Sequence, residues 1–241
     1  MIQWTAEQTK KMIEGYKKLN SPLVWDALFV QYGYRNQIIR KEVKPILRDM
    51  KICGPALTVQ GTTKYKRMED EFDPKGTGPL GGMWTRVAEK VTQDCVVIID
   101  CGYTEVAVLG DIFATSWKYA GMQGLVADGP VRDSFGFLDE NIPLFCTHTM
   151  PICAEEHWQV TDIDVPIWLH GQLGEVKVDP GDWIFGDADG VLVIPNEMVE
   201  KVLINASERA ENEAKTKAKI RAGKTARELW EAEGHGGVIE E

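Results

Sequence analysis

The clearest hydrophobic run in the chain is Cys95-Val96-Val97-Ile98-Ile99, ending at Asp100. An unbroken β-branched run of this kind predicts a strand covered on both faces. Leu125-Val126-Ala127, ending at Asp128, predicts a second. Between them, residues 112–120 carry a helical pattern that stops at Gly121. Nearer the N-terminus, Met12, Ile13, Tyr16 and Leu19 share one helical face, with Thr5 and Gln8 spaced as a capping box. Asn20-Ser21-Pro22 opens another helix, with Ser21 as its cap, that runs over 23–32 and stops at Gly33. Residues 51–59 predict a strand pair, or one strand interrupted at Gly54-Pro55. Residues 142–146 and 165–169 predict short strands, each broken by proline and so placed at edges. Residues 176–179 alternate, and 183–185 and 190–195 predict two strands joined by Gly186-Asp187-Ala188-Asp189. Strands and helices alternate along the chain, so the fold class is α/β, with many short strands around one core.

Two segments depart from this pattern. Residues 62–82 hold Lys64, Lys66 and Arg67, then Glu69, Asp70, Glu71 and Asp73, then a run rich in glycine and proline. No period is visible, which predicts a long lid or binding loop. Its acidic run matches no calcium-loop spacing, so a solvated loop fits better than a metal site. A short helix is expected over 84–90. The second departure is a long helix capped by Asn196 and ended by Gly223. Its second half has almost no large apolar residue but carries Ala206, Ala210, Ala214, Ala218 and Ala222. Alanine favours helix by itself, and a thin alanine face also suits close contact with another subunit. Thr225 and Glu228 form a second capping box before a short final helix.

Composition narrows the function classes. Hydrophobic residues make up 44% and charged residues 27% of 241, which is ordinary globular usage. Lys+Arg is 27 against Asp+Glu 37, a formal net charge of −10. That balance disfavours a nucleic-acid binder and docking on an anionic membrane. No apolar run reaches the ~18–20 residues that span a bilayer, and the first residues lack a signal-peptide pattern. The five cysteines show no paired spacing, which predicts free thiols and a cytoplasmic protein.

Most catalytic motifs are missing. There is no GxxxxGK[ST], no GxSxG and no HExxH, and the GxGxxG spelled by Gly76, Gly78 and Gly81 lies in the aperiodic loop and follows no expected strand, so dinucleotide, methyl-donor and nucleotide sites lack support. His148, His157, His170 and His235 have no metal-ligand spacing. The central stretch is the exception. Gly110-Asp111 opens a helix directly after a strand and turn, where free N–H groups and the helix dipole can hold an anion. Arg132 offers a planar fork for a carboxylate. Asp133 offers a hard oxygen ligand for Mg²⁺. All three stand at strand–helix junctions, where ligands collect in α/β sheets. Read this way, the stretch is a site for a small carboxylate bound beside a metal. In the competing reading, Asp111 only caps its helix and Arg132–Asp133 is a loop ion pair.

Asp111, twenty intervening residues, then Arg132-Asp133 resembles the D-x20-R-D signature of the class II pyruvate aldolases of the RraA-like family. Gly102, Ala107, Gly110 and Ala114 around the first Asp, with Gly124, Asp128-Gly129 and Val131 before the second, resemble that family's core. Gly54-Pro55-Ala56, Pro180-Gly181-Asp182 and Asp187 through Pro195 extend the likeness over about 21–223. The resemblance implies a single swivelling α/β/β/α domain, with a helical N-terminus and a C-terminal helix, assembled as a homotrimer or a dimer of trimers. The family includes 4-hydroxy-4-methyl-2-oxoglutarate aldolases that often also decarboxylate oxaloacetate, so the resemblance implies a lyase that cleaves a 4-hydroxy-2-oxo acid to pyruvate. By position, Asp133 would hold Mg²⁺ or Mn²⁺. Arg132 would bind the pyruvyl carboxylate and steady the enolate, and Asp111 would orient the water used in proton transfer. Amides around Gly110, Ile112 and Phe113 would complete the carboxylate pocket. A glutamate from a neighbouring subunit's C-terminal helix completes the metal shell in such aldolases. Glu213 is the best match and Glu211 the second.

The chain departs from the family where a short segment with an Asp-Asn pair is replaced by the loop 62–82 and the following helix. That change concerns the substrate beyond its pyruvyl unit. Trp84 and Arg86 could reach the site there, although a core tryptophan and a surface arginine are the ordinary reading. The family's namesake offers a second function, a non-catalytic regulator that binds and inhibits an RNA-degrading endonuclease. Such a regulator has no need of Asp111, Arg132 and Asp133 together, so the sequence favours the lyase.

Overall fold

The computed structural model describes residues 2–64, 80–154 and 157–233. Along the chain come α1 (Ala6–Tyr16), α2 (Ser21–Asp26), β1 (Lys44–Pro45), β2 (Ile52–Thr63), α3 (Leu80–Ala88), β3 (Val96–Asp100), α4 (Asp111–Tyr119), β4 (Gly124–Ala127), α5 (Ser134–Asp139), β5 (Leu144–Cys146), β6 (Trp158–Ile163), β7 (Ile167–Gly171), β8 (Gly174–Val178), β9 (Trp183–Asp187), β10 (Gly190–Ile194), α6 (Val199–Arg221) and α7 (Ala226–Glu233). A mixed sheet runs in the order β1-β5-β4-β3-β2-β9-β10, with β6 beside β2, and β7 pairs with β8 separately. The pairs β2–β3, β3–β4 and β4–β5 are parallel. The carboxyl ends of those strands therefore open on one side of the sheet.

The strand β3 shows why the layers stack. Val97, Ile99 and Cys95 face a core shared with Val87, Ala114, Trp117 and Phe137 from α3, α4 and α5. Val96 and Ile98, on the opposite face, join Ile167, Leu169, Val176, Ile184 and Val191 from β7 to β10. A third core places Ile13, Tyr16, Val24, Val199 and Val202 of α1, α2 and α6 on the outer side of β9 and β10. The order of layers is thus α, β, β, α. Each fully buried aliphatic of β3 is worth about 1.5–3 kcal/mol relative to exposure.

Several expectations change in detail. The stretch 51–59 is one strand: β2 pairs antiparallel with β9 over Ile52–Pro55 and parallel with β3 over Ala56–Gln60, so Gly54-Pro55 marks a change of partner rather than a break. Ser21 does not cap α2. Asn20 does, accepting from the Leu23 amide, and Ser21 instead bonds the Asp187 carboxylate at 2.6 Å. Asn196 likewise does not cap α6; it opens a short 3-10 turn and bonds the Gly181 carbonyl at 2.8 Å. The proline-containing segment 142–146 is not an edge, because β1 lies outside β5. The expected loop 62–82 is shorter at both ends, since β2 continues to Thr63 and α3 starts at Leu80. The rest of that loop, with its acidic run, falls outside the described residues. The short helix α5 and the strand β6 had no visible period in the sequence. The capping boxes at Thr5–Gln8 and Thr225–Glu228 both form.

Candidate functional site

The site begins at the turn into α4. Gly110 precedes that helix in an extended conformation and provides no side-chain cap, so the first amides of α4 stay open to an incoming acceptor. Asp111 is the first residue of the helix rather than its cap. On the neighbouring loop, Asp133 precedes α5 with φ 60° and ψ 38°, a left-handed conformation that aspartate tolerates better than most residues. No bond ties its side chain to α5. The twist turns its carboxylate toward α4 instead.

Two glycines make the approach possible. A Cβ on Gly110 would collide with the Asp133 carboxylate and stand 3.3 Å from Arg132 Nε. A Cβ on Gly136, in α5, would collide with the Asp111 carboxylate. The helices α4 and α5 therefore interlock through paired glycine–carboxylate contacts, and these bring Gly110, Asp111, Arg132 and Asp133 into one patch. Gly136 was not foreseen; α5 is too short to show a period, so nothing in the sequence marked the glycine as a socket. Arg132 Nε lies 3.1 Å from Asp133 Oδ2, with the two side chains 38% and 42% exposed. The loop ion pair of the competing reading is thus real, but it stands half open beside a free helix start. Both groups remain accessible to a ligand.

Other expected residues divide. Ile112 projects into solvent and Phe113 packs partly on the core beneath α4. Their backbone amides lie in the first turn of α4. Trp84 belongs to the core: it is buried, stacks on Trp158 at 5.6 Å and meets Trp117 edge-to-face at 5.4 Å. Arg86 is exposed on α3. Glu211 and Glu213 are exposed on α6, and Glu213 pairs with Lys217 at 2.7 Å. The root of α6 packs on the N-terminal helices, in the outer layer opposite α4 and α5. The structure of one chain does not bring either glutamate to the patch.

The donors fit a hard divalent ion better than a soft one. Asp133 and Asp111 offer carboxylate oxygens, and among the described residues no histidine or cysteine completes a ligand group with them. Among the described residues no group of three or more His, Cys, Asp or Glu side chains is placed to hold a metal. Mg²⁺ commonly takes only one or two protein carboxylates and keeps several waters. The exposed, left-handed Asp133 suits that mode. All five cysteines are free; four are buried, and Cys153 is partly exposed. Burial pushes the Cys53 and Cys146 thiols upward, Cys146 to about 12, so neither is a nucleophile.

Comparison with known proteins bears on the family and the fold. Residues 21–193 match the Aldolase/RraA model of the RraA-like family. The chain belongs to that family. It is 33% identical over 177 residues to a Halalkalibacterium halodurans protein whose name proposes 4-hydroxy-4-methyl-2-oxoglutarate aldolase activity, covering 73% of this chain and 75% of that one. It is 30% identical over 184 residues to protein DlpA of Legionella pneumophila, covering 76% of this chain but only 28% of DlpA. The fold resembles that of Streptomyces coelicolor RraAS2, described as an unusual member of the RNase ES inhibitor RraA family. There the TM-score is 0.71 at 22% identity, covering 90% of this chain and 98% of that one. Among the described residues, no helix is long and apolar enough to cross a membrane.

Proposed function

We propose that the chain is a cytoplasmic, divalent-metal-dependent lyase that cleaves a 4-hydroxy-2-oxo acid to pyruvate and a second oxo compound, with oxaloacetate decarboxylation as a side reaction. The observation that carries this reading is the half-exposed Arg132–Asp133 pair, 3.1 Å apart, set against the uncapped start of α4 at Gly110. In this reading Arg132 takes the substrate carboxylate in its planar fork, and the amides at Gly110, Ile112 and Phe113 complete the pocket. Asp111 orients a water that receives the proton of the 4-hydroxyl. The C3–C4 bond then breaks, its electrons pass to the keto oxygen, and the same water returns a proton to C3 to give the pyruvate methyl group. Arg132 steadies the negative charge that grows through this step. Asp133 is the residue that would hold Mg²⁺ or Mn²⁺, which when bound supplies Lewis-acid stabilisation of that charge.

Support for an aldolase comes from the family and from the named relatives, while the particular substrate follows from neither. Pyruvate release from 4-hydroxy-4-methyl-2-oxoglutarate and from oxaloacetate, with and without excess chelator, tests the reading. Metal-dependent release is expected. Full activity in chelator contradicts the metal, and no release from either acid contradicts the lyase. Inhibition of an RNA-degrading endonuclease by a chain inert toward both acids would favour the regulator instead.

A further inference from the structure

Asp128 follows β4 and is 1% exposed, yet it carries a carboxylate. A charge this deep is stable only when partnered. Arg40 Nε forms an ion pair with its Oδ1 at 2.5 Å without hydrogen-bond geometry, and His170 Nδ1 hydrogen-bonds its Oδ2 at 2.5 Å. The His170 main-chain N–H donates to the same Oδ2 at 3.0 Å. Arg40 also donates through Nη2 to the Asp128 carbonyl at 3.0 Å, and the Asp128 amide donates to Ile99 at 3.0 Å. Side chain, carbonyl and amide are therefore all held. The holding groups come from distant pieces of chain: Arg40 precedes β1 and His170 belongs to β7 in the small sheet. The Arg40 amide donates to the His170 carbonyl at 2.8 Å, which joins the two arms of the grip, and Tyr103 lies edge-on to the His170 ring at 3.8 Å.

The chain then runs five residues to Asp133 with no soft joint. A Cβ on Gly129 would meet Cys101 Sγ at 2.9 Å, so the backbone there is pressed against β3's exit. Pro130 fixes its own φ. Val108 donates to the Pro130 carbonyl at 3.0 Å, Val131 donates to His148 at 3.2 Å, and Arg132 donates to Leu109 at 3.0 Å. A rotation at Asp128 has nowhere to relax before the left-handed turn at Asp133.

We infer that Asp128 is a positioning residue, whose clamp on Arg40 and His170 sets where Arg132 and Asp133 stand. Its consequence for turnover rests on the lyase reading above; the clamp itself does not. Two variants test it. His170→Leu removes the side-chain donor, and His170→Gln restores an N–H that can reach the same carboxylate. Amide hydrogen exchange at Val131 and Arg132, Mn²⁺ affinity, and kcat against KM are measured for both.

The leucine variant is expected to exchange at Val131 and Arg132 about tenfold faster than wild type, with β3 amides unchanged. It should bind Mn²⁺ about tenfold more weakly and lose kcat with little change in KM, the size typical when groups that orient a ligand are removed. The glutamine variant should recover most of each. Wild-type exchange and affinity in the leucine variant would overturn the inference. So would equal impairment of both variants with a general loss of protection, which is the mark of a merely structural role. If the leucine variant does not fold, Arg40→Gln puts the same question from the other arm, with the same expected and contrary results. A wild type that turns over neither acid would sink the lyase reading, and the exchange and Mn²⁺ measurements would still decide the clamp.

Discussion

At the scale of single residues, space at Gly110 matters more than flexibility. Its φ is −118°, a value any residue adopts, so alanine there meets no backbone strain. What alanine meets is the Asp133 carboxylate. Gly110→Ala should therefore lower kcat/KM at least tenfold with a shift in Tm of only a few degrees, measured by steady-state kinetics and thermal melts. Near-wild-type kinetics would show that the close approach is irrelevant. Asp100 gives a pH prediction. Burial raises its carboxyl above the ordinary range, against the lowering effect of the Gly102 N–H, and the nearby Asp128 charge raises it further. A raised folded-state value means that the carboxyl supports folding while protonated. That support is fully present below the unfolded value near 3.8 and is lost as pH rises through the folded one. Asp100→Asn keeps an oxygen to accept from Gly102, which Asp100 Oδ1 does now at 2.9 Å. It should raise Tm at pH 7, with the gain fading toward pH 3 and below. A gain that grows on acidification would reverse the sign of the argument.

At the scale of elements, the buried strands were legible because their signal is continuous. The runs at β3 and β4 need no partner to be recognised, since both faces are apolar. Ile98 shows the cost of that design: it is fully buried between the two sheets, so Ile98→Ala should destabilise the protein by about 2–5 kcal/mol in denaturant melts. A loss under 1 kcal/mol would mean that the sheets do not pack closely there. The helix α5 was not legible, because its six residues give no full period. The candidate site divides in the same way. Asp111, Arg132 and Asp133 stood out through a spacing and the helix start beside them, whereas Gly136 serves by lacking a side chain and leaves no trace in the pattern. The grip of Arg40 and His170 on Asp128 was invisible because the three residues meet only after the two sheets stack. Asn20 and Ser21 exchanged roles for a similar reason: the distant Asp187 carboxylate takes the serine.

At the scale of the whole molecule, we propose that the exposed part of the alanine-rich helix meets a second copy. Ala206 is buried against its own chain, whereas Ala214, Ala218 and Ala222 are exposed beside Glu211 and Glu213. In the homotrimer, or dimer of trimers, that the family resemblance implies, Glu213 of one copy would serve the Asp133 site of another. Asp133→Ala and Glu213→Gln chains, each inactive alone, should regain activity when dissociated and reassociated together. Mixed oligomers without activity would reject the shared site or the choice of Glu213. The proposed lyase reaction requires, independently of any assembly, that this patch form the enolate of pyruvate. Incubation of the protein with pyruvate and Mg²⁺ in D₂O, followed by proton NMR of the methyl group, measures that step without knowledge of the natural substrate. The account predicts steady loss of the methyl signal with the wild type, abolished by chelator and strongly slowed by Arg132→Lys, whose ammonium cannot make the bidentate contact. A methyl signal that persists with the wild type, or is lost equally fast with Arg132→Lys, would contradict it.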